Sequence, residues 1–103
     1  MGISVKSRCR TKTTEQDPVN IPRDNFAKAE AACKAFGCVP YFAVVVDAGD
    51  TIRAFILSQK RLCEYFPQGR NAAWKMTDEY LRHYADDPAI KTFEFRTQTG
   101  RWW

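Results

Sequence analysis

The stretch PYFAVVVDAGDTIRAFIL, residues 40–57, decides how this chain folds. Tyr41 to Val46 is unbroken, apolar and rich in valine, the composition of a strand covered on both faces. Pro40 is tolerated only at its start, where no ladder hydrogen bond is lost. Asp47-Ala48-Gly49-Asp50 has turn chemistry, because aspartate side chains bond nearby backbone amides and glycine turns the chain at no steric cost. Thr51 to Leu57 then reads as the returning strand. The stretch therefore predicts an antiparallel hairpin whose first strand is central to a sheet.

Upstream of it, Phe26, Ala29, Cys33 and Phe36 recur at helical spacing and predict the buried stripe of a helix. Asp24 or Asn25 is its expected cap and Gly37 its stop. Earlier still, Ile3-Ser4-Val5-Lys6-Ser7-Arg8 alternates apolar with polar residues. A strand there is expected to turn Ile3 and Val5 to the core and Ser4, Lys6 and Arg8 the other way. Thr11 to Pro22 is polar and aperiodic and reads as a long loop.

Downstream of the hairpin, Ser58 is placed to cap a short helix through Phe66, with Leu62, Cys63 and Phe66 facing in. Residues 67–73 read as a loop. Thr77 caps a further helix in which Asp78 and Glu79 favour the positive end of the dipole and Tyr80, Leu81 and Tyr84 pack. Asp86-Asp87-Pro88 ends it. Phe93 and Phe95 alternate with Glu94 and Arg96 in a last strand near Lys91 to Thr97. The expected fold is α/β: one domain over residues 1–103, a small mixed sheet with flanking helices in the order β-α-β-β-α-α-β.

Composition narrows the classes of function. Hydrophobic residues make up 45% of the 103, which excludes the low-hydrophobicity signature of disorder. The formal charge is +4, and it is uneven: Lys6, Arg8, Arg10 and Lys12 fall within the first 14 residues with no acid among them. Such a cluster attracts phosphate, as in a nucleic-acid contact, or is simply a solvated strand end. The four cysteines, Cys9, Cys33, Cys38 and Cys63, lack the paired spacing of zinc ligands and read as free thiols packed as small hydrophobes. No leading apolar stretch resembles a signal peptide and no apolar run could span a bilayer, so a cytoplasmic chain without membrane contact is expected. There is no glycine-rich phosphate cradle, HExxH helix or GxSxG elbow.

Ser4 and Lys6, two apart on one strand face and followed by Arg8 and Arg10, resemble the catalytic strand of the PD-(D/E)XK nuclease superfamily, which includes restriction enzymes and Holliday-junction resolvases. The resemblance covers residues 2–57: the Ser-x-Lys strand, the helix, and the Pro40-Tyr41-Phe42 start of a buried strand with its partner. It implies a restriction-endonuclease-like fold. It also implies a strand on which an acid holds a divalent metal such as Mg2+ while the lysine orients the attacking water or steadies charge on the phosphate. Ser4 stands where the acid is usual. Some restriction enzymes of the superfamily share this Ser-x-Lys form and take the acid from the following helix, which here implies Glu30 as the metal ligand. Arg8, Arg10 and Lys12 would then lie along the DNA backbone.

The superfamily also carries an Asp on an earlier strand, and metal-assisted cleavage needs an oxygen site, usually with at least two carboxylates. The sequence is therefore expected to be the carboxy-terminal fragment of a larger nuclease-like protein, or a product begun at an internal methionine, and catalytically incomplete by itself. The rival expectation is a noncatalytic interaction or structural module that forms an oligomer through its apolar strands and terminal tryptophans. A thiol enzyme built on the cysteines is a third. Trp74, Trp102 and Trp103 are read either as platforms for stacked bases or as packing side chains.

Overall fold

The computed structural model describes residues 2–11, 13–67 and 69–96. In chain order these form β1 (Gly2–Cys9), β2 (Val19–Pro22), α1 (Asp24–Phe36), β3 (Pro40–Asp47), β4 (Thr51–Ser58), α2 (Gln59–Tyr65), β5 (Asn71–Trp74), α3 (Asp78–Asp86) and β6 (Lys91–Arg96). The fold is mixed α/β. A four-stranded mixed sheet runs in the order β1-β3-β4-β6, and β2 and β5 pair separately as a two-stranded sheet.

The 40–57 hairpin is as expected. β3 pairs antiparallel with β4 from Tyr41↔Ser58 to Asp47↔Ile52. Its turn is closed by the Ala48 amide donating to the Thr51 carbonyl at 2.9 Å, and by the Gly49 amide donating to Asp47 Oδ1 at 2.9 Å. Gly49 has φ of 93°, a conformation that favours glycine. On its other side β3 pairs parallel with β1, from Gly2↔Pro40 to Cys9↔Asp47. A parallel pair needs a crossover, and α1 supplies it. β6 pairs antiparallel with β4 and closes the far edge.

α1 begins differently from expectation. Arg23 occupies the N-cap and no side chain caps the helix, while Asp24 lies in the first turn, where its charge favours the dipole. At the other end Gly37 has φ of 69°, and the Cys38 amide donates to the Cys33 carbonyl at 2.9 Å. This is the Schellman arrangement, whose usual companion is an apolar contact between the residues at those two positions. Here that contact joins two thiols. Hydrogen bonding with Cys38, reinforced by burial, raises the Cys33 pKa. Phe36 was expected in the buried stripe but is 86% exposed. Cys33 already lies beside Gly2, the first residue of β1, so a side chain near the next turn has no strand beneath it.

Ser58 caps α2 through its hydroxyl, which accepts from the Arg61 amide at 3.2 Å. Thr77 occupies the N-cap of α3 without a side-chain bond, and Asp78 and Glu79 fill the first turn. The β2–β5 pair was not expected, since both segments read as loops. Val19↔Trp74 and Ile21↔Ala72 are register partners, and all four are fully buried, so the two short strands roof the core together. Arg23 ties the pair to the segment after α2, donating to the Gly69 carbonyl at 2.6 Å and to the Phe66 carbonyl.

One core joins these pieces. Phe42, Val44 and Val46 of β3 and Phe55 and Leu57 of β4 meet Val19, Ile21, Phe26, Leu62, Trp74 and Tyr84. Trp74 is a packing residue: its ring stacks on Tyr84 at 3.9 Å between centroids and 14° between planes. Asp87, which follows α3, is buried and bound on both oxygens. Oδ2 accepts from Arg61 Nη2 at 2.6 Å and from the Tyr65 hydroxyl at 2.7 Å, and Oδ1 accepts from the Ala89 amide at 2.8 Å. Burial works to raise its pKa, but the bonds from Tyr65, Ala89 and Arg61 outweigh it and hold the carboxyl below its ordinary value.

All of this core lies on one face of the four-stranded sheet. Two expectations are thereby reversed. Ile3 and Val5 are 48% and 62% exposed, whereas Ser4 and Lys6 are half-buried on the face that α1 covers. Register explains the reversal: Ser4 pairs with Phe42 and Lys6 with Val44, both inward-facing. On the outer face of β3, opposite Phe42 and Val44, burial is uneven: Ala43 is 7% exposed, while Tyr41 and Val45 are half-buried.

Candidate functional site

β1 is an edge strand, and its inner face carries Ser4, Lys6 and Arg8 at the spacing of two that a strand dictates. Between this strand and α1 lies a depression of about 350 Å³ lined by Gly2, Ile3, Ser4, Asn25, Lys28, Ala29, Ala32 and Cys33. Its floor is tight at one end. A Cβ on Gly2 would stand 2.6 Å from Cys33 Sγ and 3.1 Å from Cys38 Sγ, so a glycine is required where the strand meets the two thiols.

The expected grouping of Ser4, Lys6 and Glu30 does not form. Glu30 is exposed and lines a second depression with Ala27, Ala31, Cys33, Lys34, Cys38 and Pro40, which shares only Cys33 with the first. Helical geometry accounts for this: positions 28 and 30 are about 200° apart around α1, so one flank faces the Ser4 side and the other faces away. Lys28, which the sequence reading did not single out, takes the place expected of Glu30. Its signal was the helical angle it shares with Asn25 and Ala32. The described residues contain no group of three or more His, Cys, Asp or Glu side chains able to hold a metal ion. A lone carboxylate on the wrong flank does not fit Mg2+, so the residues at hand support no metal-dependent step.

The remaining basic residues differ in freedom. Arg8 is exposed, and its guanidinium donates to the Ser7 carbonyl at 2.7 Å. Arg10 is half-buried and directs donors to the Cys9 carbonyl at 3.3 Å and the Pro18 carbonyl at 3.4 Å, which fastens β1 to the segment before β2. Lys12, Trp102 and Trp103 lie outside the described residues. Among the described residues none of Lys6, Arg8, Arg10 and Lys28 makes an ion pair, in contrast to Arg53 with Glu94 and Arg61 with Asp87. What the arrangement offers is a basic strip without ion pairs among the described residues, beside a mainly apolar depression to which Ser4, Asn25 and Lys28 bring the polar groups.

A second surface was not anticipated. On the outer face of the sheet the registers line up four cross-strand rows: Ile3–Tyr41–Ser58, Val5–Ala43–Ile56–Lys91, Ser7–Val45–Ala54–Phe93 and Cys9–Asp47–Ile52–Phe95. Phe93 and Phe95 are 45% and 58% exposed. Among the described residues only Asp47 and Lys91 bring charge to this face, each on its margin. The helices and the β2–β5 pair all pack on the other side.

Comparison with known proteins finds no matching family model, no matching curated protein and no matching solved structure. No helix among the described residues is long and apolar enough to cross a membrane.

Proposed function

We propose that this chain is a nuclease-like DNA-processing domain that binds the phosphate backbone through β1 without cutting it. The observation that supports this reading is the strip of Lys6 and Arg8 on one face of an edge strand, flanked by Lys28 across the depression, with no carboxylate lining that depression. Three cations without acidic partners attract phosphate at long range. Ser4 and Asn25 offer neutral hydrogen bonds that would position a backbone without reading bases. A strand carrying Ser-x-Lys, followed by a helix and a parallel strand, is the element order of the PD-(D/E)XK resemblance. Cleavage would need carboxylates brought by another segment or chain, with Mg2+ held there. A cytoplasmic setting suits such a domain.

The test is fluorescence anisotropy with labelled duplex DNA across a salt series. If Lys6, Arg8 and Lys28 each neutralise a phosphate, log K should fall against log salt with a slope of about −3, and Lys6→Ala should reduce the slope by about 1 on every sequence alike. Cleavage with Mg2+ or Mn2+ is expected to be nil. Absence of binding at low salt, or binding indifferent to salt, would exclude the proposal.

A second reading, a noncatalytic interaction module, is favoured by the outer sheet face. A contiguous apolar surface of this breadth is uncommon on a monomer.

A further inference from the structure

We infer that the outer face of the four-stranded sheet is the interface of a homodimer. The inference rests on the interaction-module reading and is independent of DNA binding. The side chains of the four rows expose an apolar surface on the order of 600 Å², near the upper end of what monomers tolerate. Burying that surface on two copies removes about 1,200 Å², the lower bound of a specific interface. A parallel pair such as β1 and β3 is ordinarily covered on both sides, and here the described helices and the β2–β5 pair pack on one side.

A second copy suits the face better than a charged partner. The centre of the face carries no charge, so a partner with charged groups would have to strip them of water without compensation. Phe93 and Phe95 stand on β6 at one edge of this face, 45% and 58% exposed, and the smaller Ala54 lies beside Phe93 in the next strand. In a two-fold arrangement the two faces pack as the sheets of a sandwich do, about 10 Å apart. Asp47 and Lys91 remain on the wet margin.

Sedimentation equilibrium of the full chain, without DNA, tests this. The wild type should be dimeric at about 100 µM and dissociate on dilution. Phe93→Glu and Ala54→Glu should each weaken association at least tenfold while leaving the far-ultraviolet circular dichroism unchanged, since both side chains can reach solvent in the monomer. Phe36→Glu, at the end of α1 and 86% exposed, should not alter association. Lys6→Ala, which reports on the DNA reading, should leave the dimer intact. A chain that stays monomeric at that concentration leaves the face to some other occupant and overturns the inference. So does a dimer that survives both outer-face variants, or one that Phe36→Glu disrupts.

Discussion

The inner and outer faces of the four-stranded sheet are built from similar residues and have opposite fates. Phe55 on β4 is 3% exposed under Trp74 and Tyr84, whereas Phe93, on the neighbouring strand and the other face, is 45% exposed. On β6 apolar residues recur every second position, and on β4 the run from Ala54 to Leu57 makes both faces apolar. Alternation therefore separates two faces without saying which one meets the rest of the chain. What distinguishes them is where the helices land, and α1, α2 and α3 all land on one side.

Truncation of the two phenylalanines should separate the faces most clearly. Phe55→Ala should cost about 3–5 kcal/mol, because it empties a cavity that Trp74 and Tyr84 cannot collapse into. Phe93→Ala should cost less than about 1 kcal/mol in dilute solution. Chemical denaturation measures both, and equal losses would show that the outer face is covered in the monomer.

The next effect comes from the Asp87 cluster that secures α2 to the end of α3. Asp87→Asn should cost about 2–3 kcal/mol, since the Arg61 guanidinium and the Tyr65 hydroxyl lose a charged acceptor. The carboxyl is held below its ordinary value, so the unfolded chain takes up the proton first as acid is added. Its stabilisation is complete above the ordinary carboxylate pKa, near 4, and is lost as the pH falls through the lower folded value. Melting curves between pH 6 and about 2 should therefore be flatter for Asp87→Asn than for the wild type.

At the β1 edge the two faces should differ by less. Gly2→Ala pushes a methyl group into the Cys33 and Cys38 thiols and should cost about 1–2 kcal/mol, whereas Val5→Ala, on the bare face of the same strand, should cost under about 0.5 kcal/mol in dilute solution. Restoration of stability in Gly2→Ala by Cys33→Ala would identify the sulfur contact as the cause.

Much of the fold was legible in the sequence. The hairpin of residues 40–57, the helix ended by Gly37, the Ser58 cap and the β6 strand follow from local rules of periodicity, turn chemistry and capping, and their bounds agree with the structure closely. The β2–β5 pair was illegible because each member is only four residues long and finds its partner far along the chain. The candidate site was half legible. The strand that aligns Ser4, Lys6 and Arg8 follows from alternation, but the flank of α1 that faces it depends on how the helix is rolled on the sheet. That roll brought Lys28 to the depression and carried Glu30 away.

Periodicity and turn chemistry were enough to place the longer elements, the 40–57 hairpin, β1, the three helices and β6, because these depend on neighbours within a few positions. Only the tertiary structure decided that the polar side of β1 turns inward under α1 and that Ile3 and Val5 look out with Phe93 and Phe95. The physical reason is that burial is a property of pairs of surfaces: a strand specifies both of its faces equally, and the layer that packs against one of them makes the choice.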